Sequence, residues 1–74
     1  MNVYNYKIII EECEEGGYYA ECPALPGCHV EGETYEETVK EMKEAVKGFI
    51  QDYKLRNQEL PSDNFIVTSV QIAV

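Results

Sequence analysis

The sequence predicts an α+β domain of β-β-β-α-β order: a four-stranded mixed sheet, strand order 3-2-1-4, with one helix packed on one face. Three observations carry that expectation. Runs rich in Tyr, Ile, Val and Phe lie at both ends of the chain, as strands require. Glycines and prolines punctuate the first half at short intervals. Between them and the last run, apolar residues recur at three- and four-residue steps, the period of a helix with one buried stripe.

Val3 to Glu12, with Ile8, Ile9 and Ile10 in succession, reads as a strand buried on at least one face. Gly16 and Gly17 supply the dihedrals of a hairpin turn, and Tyr18 to Cys22 returns antiparallel. On that return Tyr18, Ala20 and Cys22 share the core face, whereas Tyr19 and Glu21 point away. Pro23 ends the ladder, Pro26-Gly27 forms a corner that folds Leu25 back over the sheet, and Cys28 to Glu31 makes a short third strand. Thr34 and Glu37 have the spacing of a capping box, so the helix starts there. Its stripe is Tyr35, Val39, Met42, Val46, Phe49, Ile50 and Tyr53, widened by Ala45. Gly48 interrupts the helix and invites a reason, either close approach of another backbone or simple tolerance. Asn57 suits the helix end, Gln58 to Asn64 is a polar connection, and Phe65 to Val74 is expected as the fourth strand, parallel to the first.

Length and charge narrow the function. Seventy-four residues make one domain, and a chain of that size gains from self-association. The net charge of −8, from 14 acidic and 6 basic residues, opposes binding to phosphate backbones and favours a basic partner, unless it serves only solubility. Cys13, Cys22 and Cys28 have neither CxxC spacing nor an even count, and His29 has no second histidine beside it. Neither a disulfide framework, a metal site nor a cofactor site is therefore expected, and free thiols fit a cytoplasmic protein. No signal peptide and no membrane helix are expected either. One helix leaves apolar surface on a four-stranded sheet, so a homodimer or higher oligomer is expected, with Phe65, Val67, Val70 and Ile72 at its interface.

A resemblance adds to this reading. Gly16, Gly17, Tyr18, Ala20, Pro23, Leu25, Pro26, Gly27, Cys28, Gly32, Thr34 and Glu37 stand at the spacing of the core motif of the HicB-type antitoxins, which the chain resembles through its middle. Thr38 departs from it, standing where that family usually has alanine. The resemblance implies a partial ribonuclease H-like fold and a non-catalytic inhibitor of HicA, a small basic mRNA-cleaving ribonuclease, whose active site it would occlude. Tyr19, Glu21, Leu25, Glu31 and Glu33 are the candidate contacts. Many family members carry a DNA-binding segment after this domain; none is recognised before Val74, so DNA binding is not expected of this chain. No catalytic residue is assigned, because the carboxylates lie mainly in turns and on the helix exterior rather than converging as two-metal hydrolysis requires. The alternative function is an oligomeric adaptor or structural domain without a toxin partner.

Overall fold

Successive hairpins build the sheet, and the turn chemistry shows why. In the computed structural model, which describes residues 2–74, the first paired strand is β1, Ile9–Glu12. Gly16 and Gly17 come next at φ of 99° and 81°, a region that costs a side chain energy but costs glycine almost nothing. The Cys13 amide donates to the Gly17 carbonyl at 3.0 Å and closes the turn. Strand β2, Tyr18–Glu21, then pairs antiparallel with β1 in a register that sets Ile10 opposite Ala20.

The proline corner leads out of β2. The Cys22 amide donates to the Cys28 carbonyl at 2.9 Å, and the Leu25 amide to the Cys22 carbonyl at 3.1 Å, so the loop satisfies its own backbone while turning Leu25 inward. Strand β3, His29–Gly32, pairs antiparallel with β2 and places Val30 opposite Ala20. The row Ile10, Ala20, Val30 therefore lies on one sheet face, the face the helix covers.

Helix α1 runs Tyr35–Leu55. Thr34 caps it, its side-chain oxygen accepting from the Glu37 amide at 3.1 Å. Asn57 ends it at φ 52°, as a residue tolerant of the left-handed region should. Met42 and Ile50 are buried and Val39, Ala45, Val46, Phe49 and Tyr53 half-buried, whereas Tyr35 is half exposed and meets Tyr18 edge to face at 6.2 Å between ring centroids. Thr38 is fully buried, its hydroxyl donating to the Thr34 carbonyl at 2.7 Å. Ala20, Cys22, Ala24, Leu25, Cys28 and Met42 form the core.

Gly48 sits with nothing within 4 Å of where a Cβ would be. Of the two reasons for a glycine there, close backbone approach is ruled out. Gly48→Ala should therefore raise stability by about 0.5–1 kcal/mol, read as a higher urea midpoint at constant slope.

The expected fourth strand is absent. Among the described residues the sheet has three strands in the order β1-β2-β3, and residues 65–74 are unpaired. The four-stranded, partial ribonuclease H-like sheet of order 3-2-1-4 is thus corrected to β-β-β-α. The reason lies in what the helix covers. It packs on β2 and β3, so a strand added beyond β1 would have no layer above it. Backbone hydrogen bonds contribute only about 0.5–1.5 kcal/mol each net of water, against about 1–2 kcal/mol to order each residue. Pairing without apolar burial does not hold a strand in place.

The connection before this arm is anchored nonetheless. The Tyr6 hydroxyl donates to the Pro61 carbonyl at 2.7 Å, and the Lys7 amide to the Asp63 carboxylate at 2.7 Å, with the Lys7 ammonium 3.4 Å from the same oxygen. The Lys7 amide chiefly, helped by its ammonium, holds the Asp63 carboxyl below its usual range. A lowered carboxyl stabilises the fold above its unfolded pKa, and that contribution fades as acid titrates the folded form.

Candidate protein-binding face

Opposite the helix lies a sheet face with no helix on it. Strand alternation puts Ile9, Glu21 and His29 in one cross-strand row and Glu11, Tyr19 and Glu31 in the next. Tyr19 thus stands between two carboxylates that are about two strand spacings, roughly 10 Å, apart, with Glu21 one pleat along its own strand. His29 stacks on the Tyr19 ring, centroids 5.8 Å apart and planes inclined by 29°. Partial burial first, and then Glu21, Glu11 and Glu31, push the Tyr19 phenol above its ordinary range. The ring is surrounded by negative charge.

That spacing decides what the face can do. Carboxylates about 10 Å apart do not converge on one ion, whose ligands must lie within about 2.6 Å of it. Among the described residues no group of three His, Cys, Asp or Glu side chains could hold a metal. An array of separated carboxylates around a stacked aromatic pair instead suits several cationic side chains from a protein surface, with the rings as a flat apolar platform.

The sequence-expected contacts divide three ways. Tyr19, Glu21 and Glu31 share this face. Glu33 is exposed at the β3–α1 turn, beside a shallow groove lined by Gly16, Gly17, Tyr18, Glu31 and Glu37. Leu25 is wholly buried and does not reach any surface. Glu11 and His29 belong to the face but are not among the contacts expected from sequence. Register is the missing signal: only the β1–β2 pairing shows that Glu11 lies opposite Tyr19.

The cysteines have no role on this face. Cys22 and Cys28 are buried free thiols that burial pushes up, which makes them poor nucleophiles. Phe65, Val67, Val70 and Ile72 all lie on the exposed arm. Among the described residues no helix is long and apolar enough to cross a membrane.

The chain is thus a small antiparallel sheet with a helix on one side and an acidic, aromatic face on the other. Comparison with known proteins gives its family. Residues 6–72 match the family model described as HicB-like antitoxin of bacterial toxin-antitoxin system. A UPF0150 protein of Synechocystis sp. is 38% identical over 72 residues, covering 97% of this chain and 91% of the relative. Another UPF0150 protein of the same organism is 47% identical over 58 residues, 78% of this chain and 80% of the relative. One from Thermoplasma acidophilum is 41% identical over 59 residues, 80% and 86% of the two chains. The chain belongs to the HicB-like antitoxin family.

Proposed function

We propose that this protein is the antitoxin of a toxin–antitoxin pair, and that it binds a small basic HicA-type ribonuclease and covers the active site with which that enzyme cleaves mRNA. The observation that carries this reading is the uncovered sheet face on which Glu11, Glu21 and Glu31 surround Tyr19. A ribonuclease surface that holds RNA must present cations, and an ordered array of carboxylates competes for the same cations. The net charge of −8 steers the encounter and keeps the chain itself off nucleic acid. In this role the protein works in the cytoplasm, where mRNA is cleaved, and catalyses no reaction.

Inhibition of RNA cleavage tests it. The purified chain titrated into a HicA-type ribonuclease from its own source should abolish cleavage at one binding equivalent, and added salt should weaken the effect. The double variant Glu21→Lys, Glu31→Lys should bind at least about tenfold more weakly while its circular dichroism is unchanged, since both side chains lie on the uncovered face. Wild-type-like inhibition by that variant would rule out this face. The second reading, a self-associating domain, is favoured by the exposed apolar arm.

A further inference from the structure

The arm is the feature the acidic face leaves unexplained. Residues 65–74 read Phe-Ile-Val-Thr-Ser-Val-Gln-Ile-Ala-Val, ten residues of high strand preference without a charge. Ile66, Val70 and Ile72 are 87%, 77% and 74% exposed. The radius of gyration is 14.4 Å, against about 11 Å for a compact domain of this length, and the longest dimension is 49 Å. No turn or bend interrupts the arm. A free, apolar, strand-forming segment of this length is the kind of exposed edge that soluble proteins cover.

An acceptor lies on the same chain. β1 is an edge strand, and the residues before it, Val3 to Ile8, pair with no strand among the described residues. Tyr6, Ile8 and Ile10 are nevertheless fixed by packing against the core, so the backbone leading into β1 is held in place beside its unpaired edge. Charge selects a second copy as the occupant. Two chains of net charge −8 repel, but Val3 to Ile10 contains no acidic residue and one lysine, Lys7, while the arm has no charge. Over Val3 to Ile10 two copies can therefore meet without carboxylates at the seam, and Glu11 and Glu12 fall at one end of the acceptor edge. The anchor at Pro61 and Asp63 fixes where the arm departs and leaves residues 65–74 free to cross to a neighbour.

We propose that two copies exchange their arms, residues 65–74 of each adding as a strand to the free edge formed by residues 3–12 of the other. The exchange supplies what a single chain lacks. The neighbour's body provides a covering layer for apolar side chains that the helix of the same chain does not reach. Reciprocal exchange of one segment is a low-cost route to a two-fold dimer, because each partner donates the same strand and accepts it on the same edge.

Light scattering coupled to size exclusion, on the full chain at about 100 µM, should give a mass about twice 8.5 kDa. Val70→Glu and Ile72→Glu should each weaken the dimer by on the order of tenfold or more, since each would place a charge in an apolar interface. Both side chains are solvent-exposed in the single chain, so the helical signal should persist. In mixtures of labelled and unlabelled chains, amide contacts between copies should connect residues 65–74 with residues 3–12. A monomer at that concentration overturns the proposal, as does a dimer that these variants leave unchanged. So do inter-copy contacts confined to other surfaces, or an arm that becomes ordered only when a ribonuclease is added. Inhibition of RNA cleavage is read in a separate assay, so either idea can fail while the other stands.

Discussion

Leu25→Ala should destabilise the protein by about 2–5 kcal/mol, the range for a large side chain removed from a packed core. Leu25 is fully buried, and its neighbours in the core are Ala20, Cys22, Ala24, Cys28 and Met42. Four of those five are small, so only the larger side chains packed around the cluster, such as Ile10, Phe49 and Tyr53, could shift to fill the space the leucine leaves. A domain of this length has a total stability of about 4–11 kcal/mol, so one such cavity removes a large share of it. Urea unfolding followed by circular dichroism should show a much lower midpoint with an unchanged slope. Leu25→Met, which conserves volume, should cost less than about 1.5 kcal/mol. Equal losses from both variants would mean that the proline corner, and not the buried leucine, sets the stability.

Gly32→Val is the second large effect, expected at the upper end of about 1–3 kcal/mol for overpacking. A Cβ on Gly32 would overlap the Thr38 hydroxyl and lie 3.1 Å from both the Thr38 Cα and its backbone nitrogen. The side chain has little freedom to retreat, because Thr38 is fully buried and its hydroxyl is held by the Thr34 carbonyl. The neighbouring turn is crowded in the same way, with a Cβ on Gly17 falling 2.9 Å from the Gly32 carbonyl oxygen. Combining Gly32→Val with Thr38→Ala should recover part of the loss, since the hydroxyl goes but the helix backbone stays. A double-mutant cycle on unfolding free energies checks this, and strict additivity would show that the two residues do not meet.

Most of the fold is legible in the sequence because it is local. Gly16-Gly17, the Pro23 to Cys28 corner and the Thr34–Glu37 cap each require a particular backbone shape from residues a few positions apart, and each of those turns and caps forms where the sequence implies. The fourth strand fails for the opposite reason. Phe65 to Val74 has the composition of a strand, but composition does not reveal that the helix covers β2 and β3 and leaves no layer beyond β1. The acidic face is half visible. Alternation reveals Tyr19 and Glu21, whereas Glu11 and His29 need the register between strands. Leu25 is ambiguous because the same proline bracket that could present a side chain here buries it. Thr38, the departure from the family pattern, is a core residue whose polar atom is satisfied within its own helix.

The latch formed by Tyr6 with Pro61 and Lys7 with Asp63 joins residues 55 and 56 positions apart, whereas the sheet pairs through successive hairpins and the helix follows directly on β3. Chains dominated by short-range contacts fold fast, and links that close long loops form late. The hairpins and helix should therefore assemble before the latch shuts, so that the latch acts mainly on the rate of escape from the native state. Opening it would release the connection at Pro61 and Asp63, while Tyr6 and Ile8 stay packed on the core and the rest of the domain stands as its own cooperative unit.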